Sequence, residues 1–282
     1  MLTTNTVRIF LPKIEYQRGF SNSYIRIHKE VEPKKPVLIV GLPGIGFVSK
    51  LAVDHLVRTT KAEKIATLYS PYFPNQVLAL KSGKLRLFSM RFFYKKMKGR
   101  DVIFLKGDIQ PLTVEGQYEV CGKILEYFSS LGGSDVVSMA GFAVNTTPAK
   151  PAIFFSTTSR ELLATYTKEY GAKKVTKMVP IVGMAGMLPA LSKLYGMAGV
   201  CLLVETPGTF IDAKGASTLV NTLSKICGDK FDTANLEERA KKTQEMIKKL
   251  GEQVSKGEEA ARVSEMSPDE VIKRNDSLSY IR

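Results

Sequence analysis

The sequence predicts a layered α/β fold with a mixed, mostly parallel sheet, and three features carry that expectation. Short apolar runs rich in β-branched residues, such as Val37-Leu38-Ile39-Val40 and Val102-Ile103-Phe104-Leu105, alternate with longer amphipathic stretches between Pro36 and Cys227. Unbroken apolar runs of this length suit strands covered on both faces, and their alternation with helices points to parallel crossovers. Ser82-Gly83 lies between two apolar runs and marks a hairpin, so at least one antiparallel pair joins the parallel ones. The chain has 282 residues, 44% of them hydrophobic, enough to bury a core without metal or disulfide support.

Taken in order, residues 1–35 hold two alternating segments, 7–14 and 24–31, which add edge strands or form an N-terminal arm. Strand 37–40 ends in Gly41-Leu42-Pro43-Gly44-Ile45-Gly46, and a helix over 47–60 places Val48, Leu51, Ala52, His55 and Leu56 on one face. Strands follow at 65–69 and 76–81, then the turn and a long strand over 85–94. A buried strand at 102–105 leads to a helix over 113–131. Further strand signals fall at 136–140, 152–155, 178–182 and 200–204, with helices near 159–170, 187–195 and 216–226. The most apolar stretch, 183–204, is broken by Pro189 and Lys193 and reads as a buried helix followed by a buried strand, not as a membrane span of about 20 apolar residues. Residues 1–5 lack a basic segment followed by an apolar one, which argues against a secretory signal. Cys121, Cys201 and Cys227 are far apart and draw neither a disulfide framework nor a zinc spacing, which suits the cytoplasm.

The formal charge is +14. Residues 229–282 hold 11 basic and 12 acidic side chains, so the excess belongs to the part before them. In the stretch 84–100, Lys84, Arg86, Arg91, Lys95, Lys96, Lys98 and Arg100 are interleaved with Phe88, Phe92, Phe93 and Tyr94. Such interleaving suits base stacking in a nucleic-acid-binding module, but a half-buried strand with inward aromatics and outward cations explains it more economically.

After Asp232 the composition changes. Leu236, Ala240, Thr243, Ile247, Leu250 and Val254 follow a four-three spacing, a helical seam that packs either on the chain's own core or on another helix. Ser267-Pro268-Asp269-Glu270 has the form of a helix start, and the chain ends in Ser277-Leu278-Ser279-Tyr280-Ile281-Arg282. The expected organisation is therefore an arm or edge strands over 1–35, an α/β core over 36–228 and a helical extension with its tail over 229–282.

Groups that make or break bonds are sparse. The 41–46 loop joins a strand to a helix, as a phosphate cradle would, yet Phe47-Val48 stand where a Walker A loop needs Lys and then Ser or Thr. Read as a dinucleotide fingerprint from Gly44, the motif has Ser49 where Gly or Ala is expected. His28 and His55 have no Cys or second His at ligand spacing, so no metal site is expected, and no nucleophile elbow is present. Asp108 and Glu205 follow apolar strands, where crevices in α/β sheets open. Loop and helix-cap roles suit them better than catalysis.

Several of these segments together resemble the proteasome assembly chaperone family, in the branch related to the second eukaryotic chaperone and its archaeal homologues. The residues are Pro36-Val37-Leu38-Ile39-Val40-Gly41-Leu42-Pro43-Gly44-Ile45-Gly46, Gly107-Asp108-Ile109-Gln110, Ala140-Gly141-Phe142, Gly183-Met184-Ala185-Gly186-Met187-Leu188 and Leu202-Leu203-Val204-Glu205-Thr206-Pro207-Gly208. The resemblance covers residues 36–228 and implies a three-layer α/β/α fold similar to phosphorylases and hydrolases, with a helical C-terminal extension. On it, Gly41, Pro43, Gly44, Gly46, Asp108 and Glu205 are family motif loops rather than catalytic or cofactor-binding residues. Archaeal homologues of this kind resemble homo-oligomers that dock on the α-subunits of the proteasome core particle through C-terminal tails ending in an apolar residue, Tyr and one more residue. Here Tyr280 is third from the end and follows Ser279, so Leu278, Tyr280, Ile281 and Arg282 form a variant of that tail.

The function expected is that of a cytoplasmic, non-enzymatic chaperone or activator bound to core-particle α-subunits, self-associating and needing no cofactor. The alternatives are an ATP-dependent ligase-like or other small-molecule enzyme using the 41–46 loop, and a nucleic-acid-binding module using residues 84–100.

Overall fold

The run Val37-Leu38-Ile39-Val40 forms strand β2 (Val37–Gly41), all of it buried, at the middle of a nine-stranded sheet. This computed structural model describes residues 22–245. Side chains along β2 alternate between two cores, Val37 and Ile39 into one, Leu38 and Val40 into the other, as the two-residue period of a strand requires. A strand can be apolar throughout only if both faces are covered, and here both are.

The elements follow in the order β1 (Tyr24–Ile27), β2, a 3-10 turn (Ile45–Phe47), α1 (Val48–Thr59), β3 (Glu63–Tyr69), β4 (Val77–Ala79), β5 (Leu85–Leu87), β6 (Met90–Lys95), β7 (Val102–Gly107) and α2 (Val114–Ser130). Then come β8 (Asp135–Ala143), β9 (Ile153–Thr157), α3 (Arg160–Lys168), β10 (Lys173–Lys174), α4 (Met184–Ser192), a 3-10 turn (Lys193–Tyr195), β11 (Ala198–Thr206) and α5 (Ala213–Cys227). The sheet order is β1-β3-β6-β7-β2-β8-β11-β9-β10. The central strands β7, β2, β8 and β11 are parallel. Towards the edges β1, β3 and β6 run antiparallel to their neighbours, as does β9 against β11. The mixed sheet is as expected.

Helices α1 and α5 cover one face, sharing a core with Ile39, Phe104 and Leu202, while α2 and α4 cover the other with Leu38, Ile103 and Leu105. The result is the expected three-layer α/β/α arrangement. Two helix starts carry side-chain caps: the Thr113 hydroxyl accepts from the N–H of Gly116 at 3.1 Å, and the Asp212 carboxylate accepts from Gly215 at 2.9 Å. Gly199 on β11 lets α4 lie almost on the strand, since a Cβ there would fall 1.9 Å from the Pro189 carbonyl oxygen.

Two expected strands are corrected. The single long strand over 85–94 is two, β5 and β6, because at Ser89 the chain leaves the hairpin to enter the main sheet. There the Ser89 carbonyl accepts from the Asp108 N–H at 3.1 Å, and the Ser89 N–H donates to the Asp108 carboxylate at 3.2 Å. The hairpin is consequently a separate two-stranded sheet, β4 with β5. Residues 178–182 form no strand but an irregular loop in which Met178 and Val182 are exposed. Pro180 in its centre lacks the N–H that a ladder needs.

Beyond α5 the chain is helical from residue 236 to 245, and Leu236 and Ala240 are buried in the core beneath α1 and α5. That part of the seam packs on the chain's own body. Thr243 is half-buried, and its hydroxyl donates to the Arg239 carbonyl at 2.8 Å. Ile247, Leu250 and Val254, the segment 7–14 and the tail residues Leu278, Tyr280, Ile281 and Arg282 lie outside the described residues.

Candidate functional site

At the C-terminal ends of β2 and β8 the chain turns away from the sheet, and the loops that leave it enclose a cleft of about 440 Å³. Such crevices are where α/β sheets place their ligands. Leu42, Pro43, Gly44 and Ile45 form one wall, Met139 to Ala143 the floor, and Val179 to Val182 with Ala185 the opposite wall. No residue of the lining is ionisable; Ser49 and Gln110 supply its polar side chains. Ile45, Phe142, Val179 and Val182 leave apolar surface at the rim.

Both polar side chains are already committed. The Ser49 hydroxyl donates to the Val40 carbonyl at 3.0 Å. The Gln110 amide donates to the Pro43 carbonyl at 2.6 Å, and its oxygen accepts from the Met184 N–H at 3.1 Å. One side chain thus ties the 41–46 loop to the start of α4 across the cleft. The sequence motif Gly107-Asp108-Ile109-Gln110 contains this residue, but its role depends on two segments distant in sequence.

The glycines of the 41–46 loop serve packing. A Cβ at Gly41 would fall 2.3 Å from that of Val53, so β2 and α1 approach closely only with glycine there. Gly46 has a φ of +64°, and a Cβ on it would lie 2.6 Å from the Thr206 hydroxyl. Gly44 differs: its φ is −171° and nothing lies within 4 Å of where a Cβ would stand. Pro43 and Gly44 line the cleft, whereas Gly41 and Gly46 lock the loop beneath it.

Neither carboxylate singled out after a strand lines the cleft. Asp108 accepts from Arg86 at 2.5 Å, from Arg91 and from the Ser89 backbone, holding the hairpin against the end of β7. The Glu205 carboxylate accepts from the Ala152 N–H at 2.9 Å, while the Glu205 N–H donates to the Ala152 carbonyl. Asp108 lies in the loop that follows β7, whereas Glu205, expected beyond its strand, is a residue of β11 itself, because the ladder with β8 continues to Thr206; helix capping falls to Thr113 and Asp212.

A further group of ionisable side chains lies between α1 and β7. Asp54 pairs with Lys50 at 2.9 Å and with Lys106 of β7 at 2.7 Å. Burial opposes the Asp54 carboxylate, but the two ammonium groups outweigh it and hold its pKa below the usual range. Burial lowers the pKa of Lys106, with Asp54 acting against that shift. His55 is fully buried; its Nε2 donates to the Asp232 carbonyl at 2.6 Å, and Nδ1 has no partner among the described residues. Burial also drives the His55 pKa down. Among the described residues, no group of three or more His, Cys, Asp or Glu could hold a metal ion, and no helix is long and apolar enough to cross a membrane.

The aromatic residues of the basic stretch are used inside the fold. Phe92 is buried, the Tyr94 hydroxyl donates to Asp101 at 3.1 Å, and Phe93 lies under the Lys106 ammonium at 5.6 Å. Arg86 and Arg91 are held by Asp108, and Arg100 by Asp135. Stacking on bases would need these rings free.

A model of the PAC2 family matches residues 38–251. The uncharacterized protein MJ1210 of Methanocaldococcus jannaschii is 34% identical over 241 residues, spanning 84% of this chain and 93% of its own length. Among solved structures, PbaB of Pyrococcus furiosus, described as an archaeal proteasome activator, is 34% identical and aligns with a TM-score of 0.74, covering 82% of this chain and 99% of that one. PbaA of the same organism, described as an archaeal homolog of proteasome-assembly chaperone, shares the fold at 23% identity and a TM-score of 0.69, covering 84% and 99%.

Proposed function

The chain belongs to the PAC2 family, and from that premise we propose that it is a cytoplasmic, non-enzymatic partner of the proteasome, a chaperone or activator that binds core-particle α-subunits. The observation that carries this reading is the chemistry of the cleft. Its position is where an α/β enzyme keeps reacting groups, yet its lining is mostly apolar and free of ionisable side chains, and its two polar side chains are spent on holding loops together. An apolar concavity with an apolar rim is suited to adhesion rather than to moving protons. The likeness to PbaB supports the choice of partner.

In this reading the tail Leu278, Tyr280, Ile281 and Arg282 makes the docking contact, its aromatic ring and terminal carboxylate entering a site between α-subunits. Self-association presents several tails at once, and avidity then compensates for a weak single contact. The test is binding of the full chain to purified core-particle α-subunits, beside a chain truncated after Asp276. Binding lost on truncation supports the whole reading. Unchanged binding removes the tail from it, and no binding by the full chain sinks it.

A further inference from the structure

We propose that the β4–β5 hairpin is a self-association surface, which mates with the start of α2 on a second copy of this chain. The register pairs Val77 with Leu87 and Ala79 with Leu85, so these four side chains share one face of the hairpin, while Leu78 and Arg86 share the other. The second face is half-buried, with Arg86 bound to Asp108. The first is turned to solvent: Val77 and Leu87 are each 51% exposed and Leu85 is 74% exposed. An apolar face on a two-stranded sheet gains nothing from solvent, and its alternation is what a covered strand pair shows.

The start of α2 carries a second exposed apolar group. Leu112, Val114 and Tyr118 are 73%, 67% and 56% exposed, the last two one helical turn apart. Two links tie the base of the hairpin to the segment that carries this group. Tyr72, five residues before Val77, sits on the first turn of α2 so closely that a Cβ on Gly116 would fall 2.5 Å from its own. Asp108, which binds Arg86, lies four residues before Leu112.

Charge selects the occupant. Residues 71–100 contain eight Lys and Arg and no Asp or Glu, and at the hairpin tip Lys81 and Lys84 are exposed. The α2 group carries Glu115, exposed and without an ion pair among the described residues. Hairpin against hairpin would oppose lysines to lysines. Hairpin against the α2 start joins apolar to apolar and Lys81 or Lys84 to Glu115, and a two-fold axis makes each contact twice.

This deepens the self-association named above and rests on that part of the reading alone, not on the proteasome. The test is sedimentation velocity of the full chain at micromolar concentration, comparing the native sequence with Leu85→Ser/Leu87→Ser, Lys81→Glu/Lys84→Glu, Glu115→Lys and the combined charge swap. All altered side chains are exposed, and thermal melts would establish that each variant folds. The native chain should self-associate. The serine variant and each one-sided charge reversal should weaken assembly by about tenfold or more, and the combined swap should restore most of that loss. An assembled native chain whose variants sediment unchanged, or one-sided reversals that the combined swap fails to rescue, would overturn this surface while leaving self-association in place. A monomeric native chain would overturn both.

Discussion

The side-chain amide of Gln110 donates to the Pro43 carbonyl at 2.6 Å while its oxygen accepts from the N–H of Met184, so a single residue fastens both walls of the apolar cleft. Its removal leaves one carbonyl and one N–H at a half-buried site without their partner, which costs about 2 kcal/mol. Gln110→Ala should therefore lower the melting temperature. Gln110→Glu should do so as well, since a carboxylate cannot donate to Pro43. Protection of the Met184 N–H from hydrogen exchange should fall in Gln110→Ala, and unchanged exchange there would show that the clasp is not holding α4.

His55 predicts a loss of stability on mild acidification. Its folded pKa lies below the usual 6.5, so above that value both folded and unfolded chains are neutral at this site and it contributes nothing to pH dependence. As pH falls through 6.5 the unfolded chain takes up a proton that the folded one refuses, because Nδ1 is buried with no acceptor beside it. Stability then declines between about pH 7 and pH 5, above the range in which carboxylates titrate. In His55→Gln, which retains a donor for Asp232, denaturant midpoints should be flatter across that interval. Equal slopes in the two chains would remove His55 as the cause.

The central strands and the helices between them were legible because both signals are local. Val37 to Val40 and Val102 to Leu105 are apolar without interruption, and Val48, Leu51, Ala52, His55 and Leu56 recur at helical spacing and are all buried along α1. The misread segments depend on distant partners. Leu85 to Tyr94 continues as a plausible strand in sequence, and its break at Ser89 is imposed by Asp108, 19 residues on. Residues 178–182 carry the apolar content of a strand but are used to wall the cleft, with Pro180 as the one local warning. The cleft was legible only on the 41–46 side. Gln110 and Phe142 stood in the motifs that carry the family resemblance, yet nothing near them in sequence announces that they line one cleft with Pro43 and Val182.

Asp108 tests whether the carboxylate after β7 is structural. It neutralises Arg86 and Arg91 and accepts from the Ser89 N–H, so Asp108→Ala leaves two guanidinium groups facing each other at the root of the hairpin. Breaking a buried pair costs about 3–5 kcal/mol, and the partial exposure of both arginines puts this case at or below the lower end. Glu205→Gln should be milder, because an amide oxygen still accepts from Ala152. Urea titrations of the two variants should rank in that order. A stable Asp108→Ala chain would return this carboxylate to the list of groups available for chemistry.

The three cysteines should be silent towards thiol reagents in the folded chain. Burial pushes the thiols of Cys121 and Cys227 up to about 12 and that of Cys201 up to about 11, so almost no thiolate exists at neutral pH. Titration with an aromatic disulfide should detect no rapid reaction in native protein and three thiols in denaturant. A fast-reacting native thiol would mean that one of these sites opens readily.

Gly44 and Gly46 separate loop packing from cleft function. At Gly46 an alanine meets both a left-handed backbone, which costs roughly 1–2 kcal/mol, and the Thr206 hydroxyl 2.6 Å away. Gly46→Ala should therefore destabilise by at least that amount. Gly44→Ala should leave stability within about 0.5 kcal/mol, because the site is extended and open. A larger residue at Gly44 would still narrow the cleft it lines. If the cleft receives an apolar side chain of the partner, Gly44→Val should weaken binding to core-particle α-subunits while the melting temperature stays near that of the native chain. Loss of stability in Gly44→Ala, or full binding by Gly44→Val, would detach the cleft from that contact.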